Sequence, residues 1–149
     1  MFLKKTEKTL VFSVFFVIIH IRKNKMLTGV DILKIQRMTK LMQKSPSAVE
    51  DIFSESEIKY CQGRPHPAES FAARFAAKEA LIKAIDSEVL EFDLNQIEIV
   101  KTRTGKPEFN ITSAHCLEKI RNLMGKDEYK INLALTHEDD YAVAFVVIE

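Results

Sequence analysis

The sequence predicts an α+β domain that contains antiparallel strand pairs and one long helix. Two patterns lead to this class: apolar residues switch between helical and strand spacing from residue 26 onward, and no internal repeat is present. Size is the third observation, since 149 residues with 46% hydrophobic and 29% charged side chains suit one globular domain. We therefore expect one packed core rather than a bundle or a repeat protein.

The first predicted element is a short strand over residues 27–30 that ends at Asp31. A helix should follow directly, because four apolar residues recur at helical spacing: Ile32, Ile35, Met38 and Met42. Asp31 is therefore predicted at a strand-to-helix junction.

The next segment is predicted to be helical. Short helices are expected between about residues 47 and 62. Three sequences have the form of helix starts: Ser45-Pro46, Ser47-x-x-Glu50 and Ser54-x-x-Glu57, the last two as capping boxes. A long Ala-rich helix is then predicted to begin at His66-Pro67, as cap and first-turn proline, and to run to about residue 85. Its predicted core stripe consists of Phe71, Phe75, Ile82 and Ile85.

The last third of the chain is predicted to contain two strand pairs around one helix. Residues 96–101 and 108–111 flank the turn Thr104-Gly105-Lys106-Pro107 and predict a hairpin. Thr112 or Ser113 should cap a helix that stops at Gly125. Residues 131–136 and 141–148 then predict a closing antiparallel pair, with residues 137–140 as the connection.

The first 25 residues differ in composition from the rest. Basic residues flank an apolar run over residues 10–21, which is the order of a signal peptide, but no small-residue cleavage site follows. The run is also shorter than the roughly 20 residues that a membrane helix needs. We predict an N-terminal extension of uncertain role over residues 1–25 and a domain over residues 26–149. The alternative is that residues 14–21 add a buried strand.

Charge and cysteine content limit the classes of function. Twenty-two Lys and Arg residues against 21 Asp and Glu give a net charge of +1, so no global basic field is available to hold a nucleic acid. Cys61 and Cys116 lack CxxC spacing in a Lys-rich sequence, which predicts two free thiols in a cytoplasmic protein.

Three residues are candidates for chemistry. Glu79 and Lys83 are four apart on the long helix, and the small residues Ala72 and Ala76 continue that face, so a carboxylate, an amine and open space should share one surface. The same spacing also fits an ordinary surface ion pair. Asp31 fits a helix N-cap. It could equally join Glu79 in a two-carboxylate Mg²⁺ site, because Mg²⁺ takes its other ligands from water and substrate phosphates.

Two motifs make the sequence recognisable. Gly29-Val30-Asp31-Ile32 and the stretch ARFAAKEALIKA over residues 73–84 resemble the first and second motifs of the holo-acyl-carrier-protein synthases, the short class of 4′-phosphopantetheinyl transferases. The segments at 96–99, 105–107 and 135–149 are similar to that family in the same order. The resemblance covers about residues 27–149 and implies the 4′-phosphopantetheinyl transferase fold, an antiparallel sheet packed with a long central helix.

The resemblance also implies roles for individual residues. Asp31 and Glu79 become the Mg²⁺ ligands, and Lys83 neutralises or protonates the leaving phosphate. The phosphates or nucleotide of coenzyme A are assigned to three residues: Arg74, Lys106 and His137. Arg37 and Lys44 become candidates to bind the acidic helix of acyl carrier protein. A solvated helix face is the alternative for those two, as an unliganded turn histidine is for His137.

This sequence departs from the family pattern in several places. Leu27 replaces a glycine, and Asp86-Ser87-Glu88-Val89 replaces a glycine-rich stretch, so the loop beside the nucleotide should differ in shape. Ala134 replaces a common serine. The carboxylate proposed as general base in some relatives would fall near Lys59, so that role passes to Glu79 or to metal-bound water.

The implied reaction is attack by a serine of apo-acyl carrier protein on the β-phosphate of coenzyme A. It transfers 4′-phosphopantetheine and releases adenosine 3′,5′-bisphosphate. A cyclic homotrimer with active sites between subunits is implied as well. A non-catalytic carrier-protein or nucleotide-binding module on the same fold is the alternative, whereas a nucleic-acid-binding domain lacks both a basic stripe and an aromatic recognition motif.

Overall fold

The computed structural model describes residues 25–149, so residues 1–24 of the predicted extension lie outside the described part of the chain. The helices are α1 (Ile35–Lys44), α2 (Pro46–Ile52), α3 (Glu55–Gln62), α4 (Pro67–Ala84) and α5 (Ala114–Met124). The strands are β1 (Leu27–Lys34), β2 (Ile97–Lys101), β3 (Pro107–Ile111), β4 (Ile131–Glu138) and β5 (Tyr141–Ile148). Two short 3-10 turns, Val89–Glu91 and Leu94–Gln96, connect α4 to β2. The α+β prediction is confirmed.

The main sheet has the strand order β1-β5-β4 and is antiparallel throughout. Because successive strand residues point to opposite faces, β1 presents Gly29, Asp31 and Leu33 to one side and Val30 and Ile32 to the other. Leu33 is buried, whereas Val30 and Ile32 are 57% and 61% exposed. One face of the sheet therefore carries the core and the opposite face is apolar but open.

Helix α4 packs on the core side of this sheet and makes the centre of the domain. Phe71, Ile82 and Ile85 of the predicted stripe are buried there, and Phe75 is partly buried against them. Gly29 allows the close approach of β1, since a Cβ at this position would lie 1.9 Å from the carbonyl oxygen of Ala80. The glycine thus determines how near Asp31 comes to the helix.

The second sheet is the predicted β2–β3 hairpin. Gly105 has a φ of 86° in its turn, a left-handed conformation that glycine adopts without strain. The Ser54 capping box is present at the start of α3, and the Ser113 side chain caps α5 by accepting a hydrogen bond from the N–H of Cys116. Gly125 ends α5 with a φ of 68°. These four predictions are confirmed.

The predicted cap at Ser47 is wrong. The other predicted start, Ser45-Pro46, is confirmed: Ser45 is the N-cap residue and α2 begins at Pro46, because the fixed φ of proline suits the first helical position. His66 does precede α4 and Pro67 does open it, but the His66 side chain makes no capping hydrogen bond.

The predicted junction at Asp31 is also wrong. Strand β1 continues through Lys34, because residues 27–34 all pair with β5, and Ile32 lies in the strand rather than in the helix. Asp31 is therefore not an N-cap. The connection at residues 137–140 is shorter than predicted, since His137 pairs with Ala142 and Glu138 pairs with Tyr141.

Two further observations concern side chains and membranes. Cys61 and Cys116 are buried free thiols, as predicted, and burial raises the pKa of each to about 11. Over residues 25–149, no helix combines the length and the apolar character needed to cross a bilayer.

Candidate active site

The carboxylate of Asp31 and the ammonium of Lys83 meet where β1 crosses α4. Lys83 Nζ lies 2.6 Å from Asp31 Oδ1 and 3.4 Å from the carbonyl oxygen of Val30. The Asp31 side chain is 13% exposed, whereas that of Lys83 is 53% exposed. The ion pair of Lys83 is therefore with Asp31 on β1, and not with Glu79 along the surface of α4.

Glu79 lies one helical turn before Lys83 and shares its surroundings with Asp31. Its pKa is raised above the ordinary value, first by burial and then by the nearby negative charge of Asp31. Lys83 and Arg37 act in the opposite direction without cancelling the effect. A cation between the two carboxylates would relieve their repulsion. Asp31 and Glu79 are thus near enough for the charge of Asp31 to affect Glu79, and their joint role as metal ligands stays a prediction.

The space predicted beside Glu79 is not formed by the residues named for it. Ala72 and Ala76 are completely buried, because the small side chains let α4 lie close to the sheet. The pair of carboxylates also stands without a third ligand: within residues 25–149, no three His, Cys, Asp or Glu side chains converge on a metal position. Two carboxylates with open positions suit Mg²⁺, which usually keeps several waters and takes further ligands from phosphates.

Arg74 lies on the first half of α4 in a separate group of cations, called here the Tyr60 cluster. The group consists of the Tyr60 ring and three cations around it, whose distances to the ring centroid are 4.2 Å for Arg74, 5.8 Å for Arg64 and 5.5 Å for Lys101. Arg74 is 5% exposed, and its Nε has no hydrogen-bond partner. A buried guanidinium with a free donor and two neighbouring cations is suited to an anionic ligand.

The other two predicted coenzyme A residues lie elsewhere on the surface. His137 Nδ1 is 3.8 Å from Glu69 Oε2, at a cavity of about 410 Å³ formed by the β4–β5 hairpin. Lys106 is exposed in the β2–β3 turn, which Thr102 closes through hydrogen bonds to the Lys106 backbone. Among the described residues, no hydrogen bond or ion pair joins Arg74, Lys106 and His137 to one another.

Helix α1 presents a basic exposed face. Arg37 and Lys44 are both exposed, and Lys40 lies between them on the same side at helical spacing. Arg37 is close enough to Glu79 to lower its pKa, so this face borders the carboxylate pair. The sequence did not single out Lys40, although its spacing from Arg37 and Lys44 was visible.

Comparison with known proteins points to one family. The family model described as the 4′-phosphopantetheinyl transferase superfamily matches residues 28–146. The holo-acyl-carrier-protein synthase of Clostridium kluyveri is 37% identical over 121 residues, which is 81% of this chain and 87% of the relative. That of Geotalea daltonii is 38% identical over 125 residues, covering 82% and 96%.

Solved structures agree with this relationship. An ACPS–CoA complex from Chronobacterium ammoniagenes has a TM-score of 0.72 at 26% identity and covers 84% of this chain and 97% of that one. The holo-acyl-carrier-protein synthase from Neisseria meningitidis has a TM-score of 0.70 at 30% identity, covering 83% and 97%. The chain therefore belongs to the 4′-phosphopantetheinyl transferase superfamily, within the holo-acyl-carrier-protein synthase family.

Proposed function

We propose that residues 26–149 transfer 4′-phosphopantetheine from coenzyme A to a serine of apo-acyl carrier protein and release adenosine 3′,5′-bisphosphate. One observation carries the proposal: Asp31 and Lys83 are in contact, and Glu79 lies close to both, in a chain of this family. The buried free thiols of Cys61 and Cys116 fit a reducing compartment, and we place the reaction in the cytoplasm.

Asp31 and Glu79 are the proposed Mg²⁺ ligands. They supply two hard oxygen donors on two different elements. The pKa of Glu79 is raised first by burial and then by the negative charge of Asp31, and a divalent cation would offset that second effect. When bound, Mg²⁺ supplies Lewis-acid polarisation and charge neutralisation at the pyrophosphate of coenzyme A. The metal-dependence of this chain is thus part of the proposal.

Lys83 and Glu79 are the proposed catalytic residues. The Lys83 side chain is half exposed and long, so its ammonium can leave Asp31 to neutralise charge on the departing phosphate. Glu79 lies within the electrostatic reach of Asp31 and Lys83, and we assign it the role of accepting the proton of the attacking serine hydroxyl. A water molecule in the site is the alternative proton acceptor.

The Tyr60 cluster is proposed to bind the nucleotide side of coenzyme A. Arg74 is the predicted member, and the converging positive charges of Arg64 and Lys101 strengthen the assignment. Lys106, in the β2–β3 turn, and His137, near the end of β4, are proposed to contact the same substrate. These two assignments rest on the family motif, since each side chain is exposed.

The basic face of α1 is proposed to bind acyl carrier protein. Arg37 and Lys44, with Lys40 between them, would meet the acidic helix of the carrier protein and direct its serine toward Glu79. The proximity of Arg37 to Glu79 supports this orientation.

We propose a homotrimer whose active sites lie between subunits. The outer face of the sheet supports self-association, because Val30 pairs with Phe145 and both are exposed, as is the neighbouring Ile32. Contiguous apolar surface of this kind is typical of an interface. Light scattering of the purified protein should give three times the chain mass, and a monomer mass would exclude the trimer.

The transfer reaction is tested by incubating the protein with apo-acyl carrier protein, coenzyme A and Mg²⁺ and measuring the intact mass of the carrier. A mass increase of one phosphopantetheine group is expected. A carrier whose acceptor serine is replaced by alanine should gain no mass. Binding of coenzyme A or carrier without any mass increase would instead identify a non-catalytic module.

A further inference from the structure

A fully buried ion pair joins α3 to α4. Lys78 Nζ lies 2.7 Å from Glu57 Oε2, and neither side chain is exposed to solvent. The same ammonium donates hydrogen bonds to the carbonyl oxygens of Ile52 and Leu94, at 2.6 and 2.9 Å. One lysine therefore holds the end of α2 and the turn before β2 against α4.

The carboxylate of this pair is equally constrained. Glu57 Oε1 accepts a hydrogen bond from the backbone N–H of Ile99, and Oε2 accepts one from Ser54, each at 3.0 Å. Burial lowers the pKa of Lys78, although the charge of Glu57 opposes that shift. A buried ion pair contributes little net stability compared with an apolar pair of similar size, so stability alone does not account for it.

The ion pair and the Tyr60 cluster form two adjacent layers across the same three elements. Glu57 and Tyr60 are three residues apart on α3, and Arg74 and Lys78 are four apart on α4, so each pair shares a helix face. In the inner layer, Glu57 contacts Lys78 and Ile99. In the outer layer, the Tyr60 ring contacts Arg74 and Lys101. Helix α3 is thus the common partner of α4 and β2 in both layers.

The outer layer needs support from the inner one. Three cations lie within 5.8 Å of the Tyr60 ring centroid, and none of them forms a salt bridge in the part of the chain that the structure describes. Like charges at this spacing repel one another, so a rigid frame is required to hold them.

We propose that Lys78 and Glu57 are positioning residues for the Tyr60 cluster. The pair fixes α3 against α4 and β2 and so keeps Arg74 and Lys101 beside the Tyr60 ring, at the spacing that binds the anionic part of coenzyme A. The identity of the anion rests on the proposed function, whereas the positioning itself does not. A second readout can therefore be made without substrate.

The Tyr60 hydroxyl provides that readout. Burial by itself would raise its pKa, but the hydrogen bond and charge of Lys101 and the charges of Arg74 and Arg64 outweigh burial, so the pKa lies below the ordinary value of 10.0. Ultraviolet titration of the tyrosines should show this early ionisation, and Tyr60→Phe identifies the signal by removing it.

The test compares Lys78→Met with Ile120→Ala, a variant of a fully buried residue on α5, a helix that contributes no residue to either layer. Both substitutions should lower thermal stability, so coenzyme A binding and Tyr60 ionisation are measured at a temperature at which both variants are folded. Lys78→Met should weaken coenzyme A binding at least tenfold by calorimetry and move the Tyr60 ionisation upward. Ile120→Ala should leave both quantities unchanged.

Each outcome decides the proposal. If Lys78→Met matches Ile120→Ala both in coenzyme A binding and in the ionisation of Tyr60, the proposal is overturned and the ion pair has a purely structural role. If wild type binds no coenzyme A, the proposed function fails, and the Tyr60 titration still tests the positioning. If Lys78→Met does not fold, Glu57→Asp keeps both charges but shortens the acidic side chain by one methylene, which draws the carboxylate away from Lys78. A several-fold loss of binding is then expected, and unchanged binding and titration would refute the proposal.

Discussion

Gly29→Ala should strongly destabilise the protein, because it adds a methyl group where β1 touches the backbone of α4. The new Cβ would lie 1.9 Å from the Ala80 carbonyl oxygen and 2.8 Å from the Ala84 nitrogen, whereas an ordinary contact is 3.4 Å or more. Overpacking of this kind typically costs 1–3 kcal/mol, and backbone atoms cannot rotate away, so we expect about 3 kcal/mol. At roughly 2–4 °C per kcal/mol for a domain of this size, the Tm should fall by about 6–12 °C.

Gly63→Ala is the matched control. Its φ is −78° and an added Cβ would lie 3.5 Å from the nearest atoms, so the fold accommodates the methyl group. Its stability should change by less than about 0.5 kcal/mol, or rise slightly because the unfolded chain loses freedom. Calorimetry of both variants measures the difference. If Gly29→Ala is as stable as Gly63→Ala, the close approach of β1 and α4 is not as described, and the placement of Asp31 beside Lys83 loses its basis.

Three further predictions concern charged side chains. Because the folded pKa of Glu79 is raised, ionising it costs stability as pH rises from the ordinary value of 4.5 through the folded pKa. Glu79→Gln should therefore raise the free energy of unfolding of the metal-free protein at neutral pH by less than about 1 kcal/mol and lose this gain in acid. An unchanged difference across pH would contradict it. Lys83→Met should lower kcat with only modest loss of coenzyme A binding, since the charge of Lys83 acts as the leaving group departs. Loss of binding at normal kcat would show instead that Lys83 stabilises bound coenzyme A before the reaction. Arg37→Glu should raise the carrier-protein KM. The defect should shrink as salt is added, because exposed charges are screened beyond about 8 Å at physiological ionic strength. A defect that does not change with salt would indicate that Arg37 has a structural role instead.

The fold was predictable from the sequence wherever the signal was local. The Ser54 capping box, the Gly105 turn and the Gly125 helix end depend on neighbouring residues, and the structure has all three. Strand β1 was predicted too short because its length is set by pairing with β5, more than 100 residues away. Ile32 fits a helical stripe in sequence, but that long-range pairing places it on the open face of the sheet.

The candidate site divides in the same way. The proximity of Asp31, Glu79 and Lys83 followed from the motifs, and the structure brings these side chains together. Tyr60 and Lys101 could not be found from the sequence, since they meet Arg74 only when α3 and β2 pack against α4. No short-range spacing marks a cluster that three elements build jointly.

Asp31 and Glu79 are proposed to bind together the metal used in phosphopantetheine transfer. This role is tested most directly by following the intact mass of apo-acyl carrier protein over a Mg²⁺ titration with wild type, Asp31→Ala and Glu79→Ala. Circular dichroism shows whether the variants are folded. Wild type should convert the carrier in a saturable, Mg²⁺-dependent manner, while both variants stay folded and add no phosphopantetheine, because each loses one of few protein ligands. Near-normal conversion by either variant at millimolar Mg²⁺ would contradict the claim.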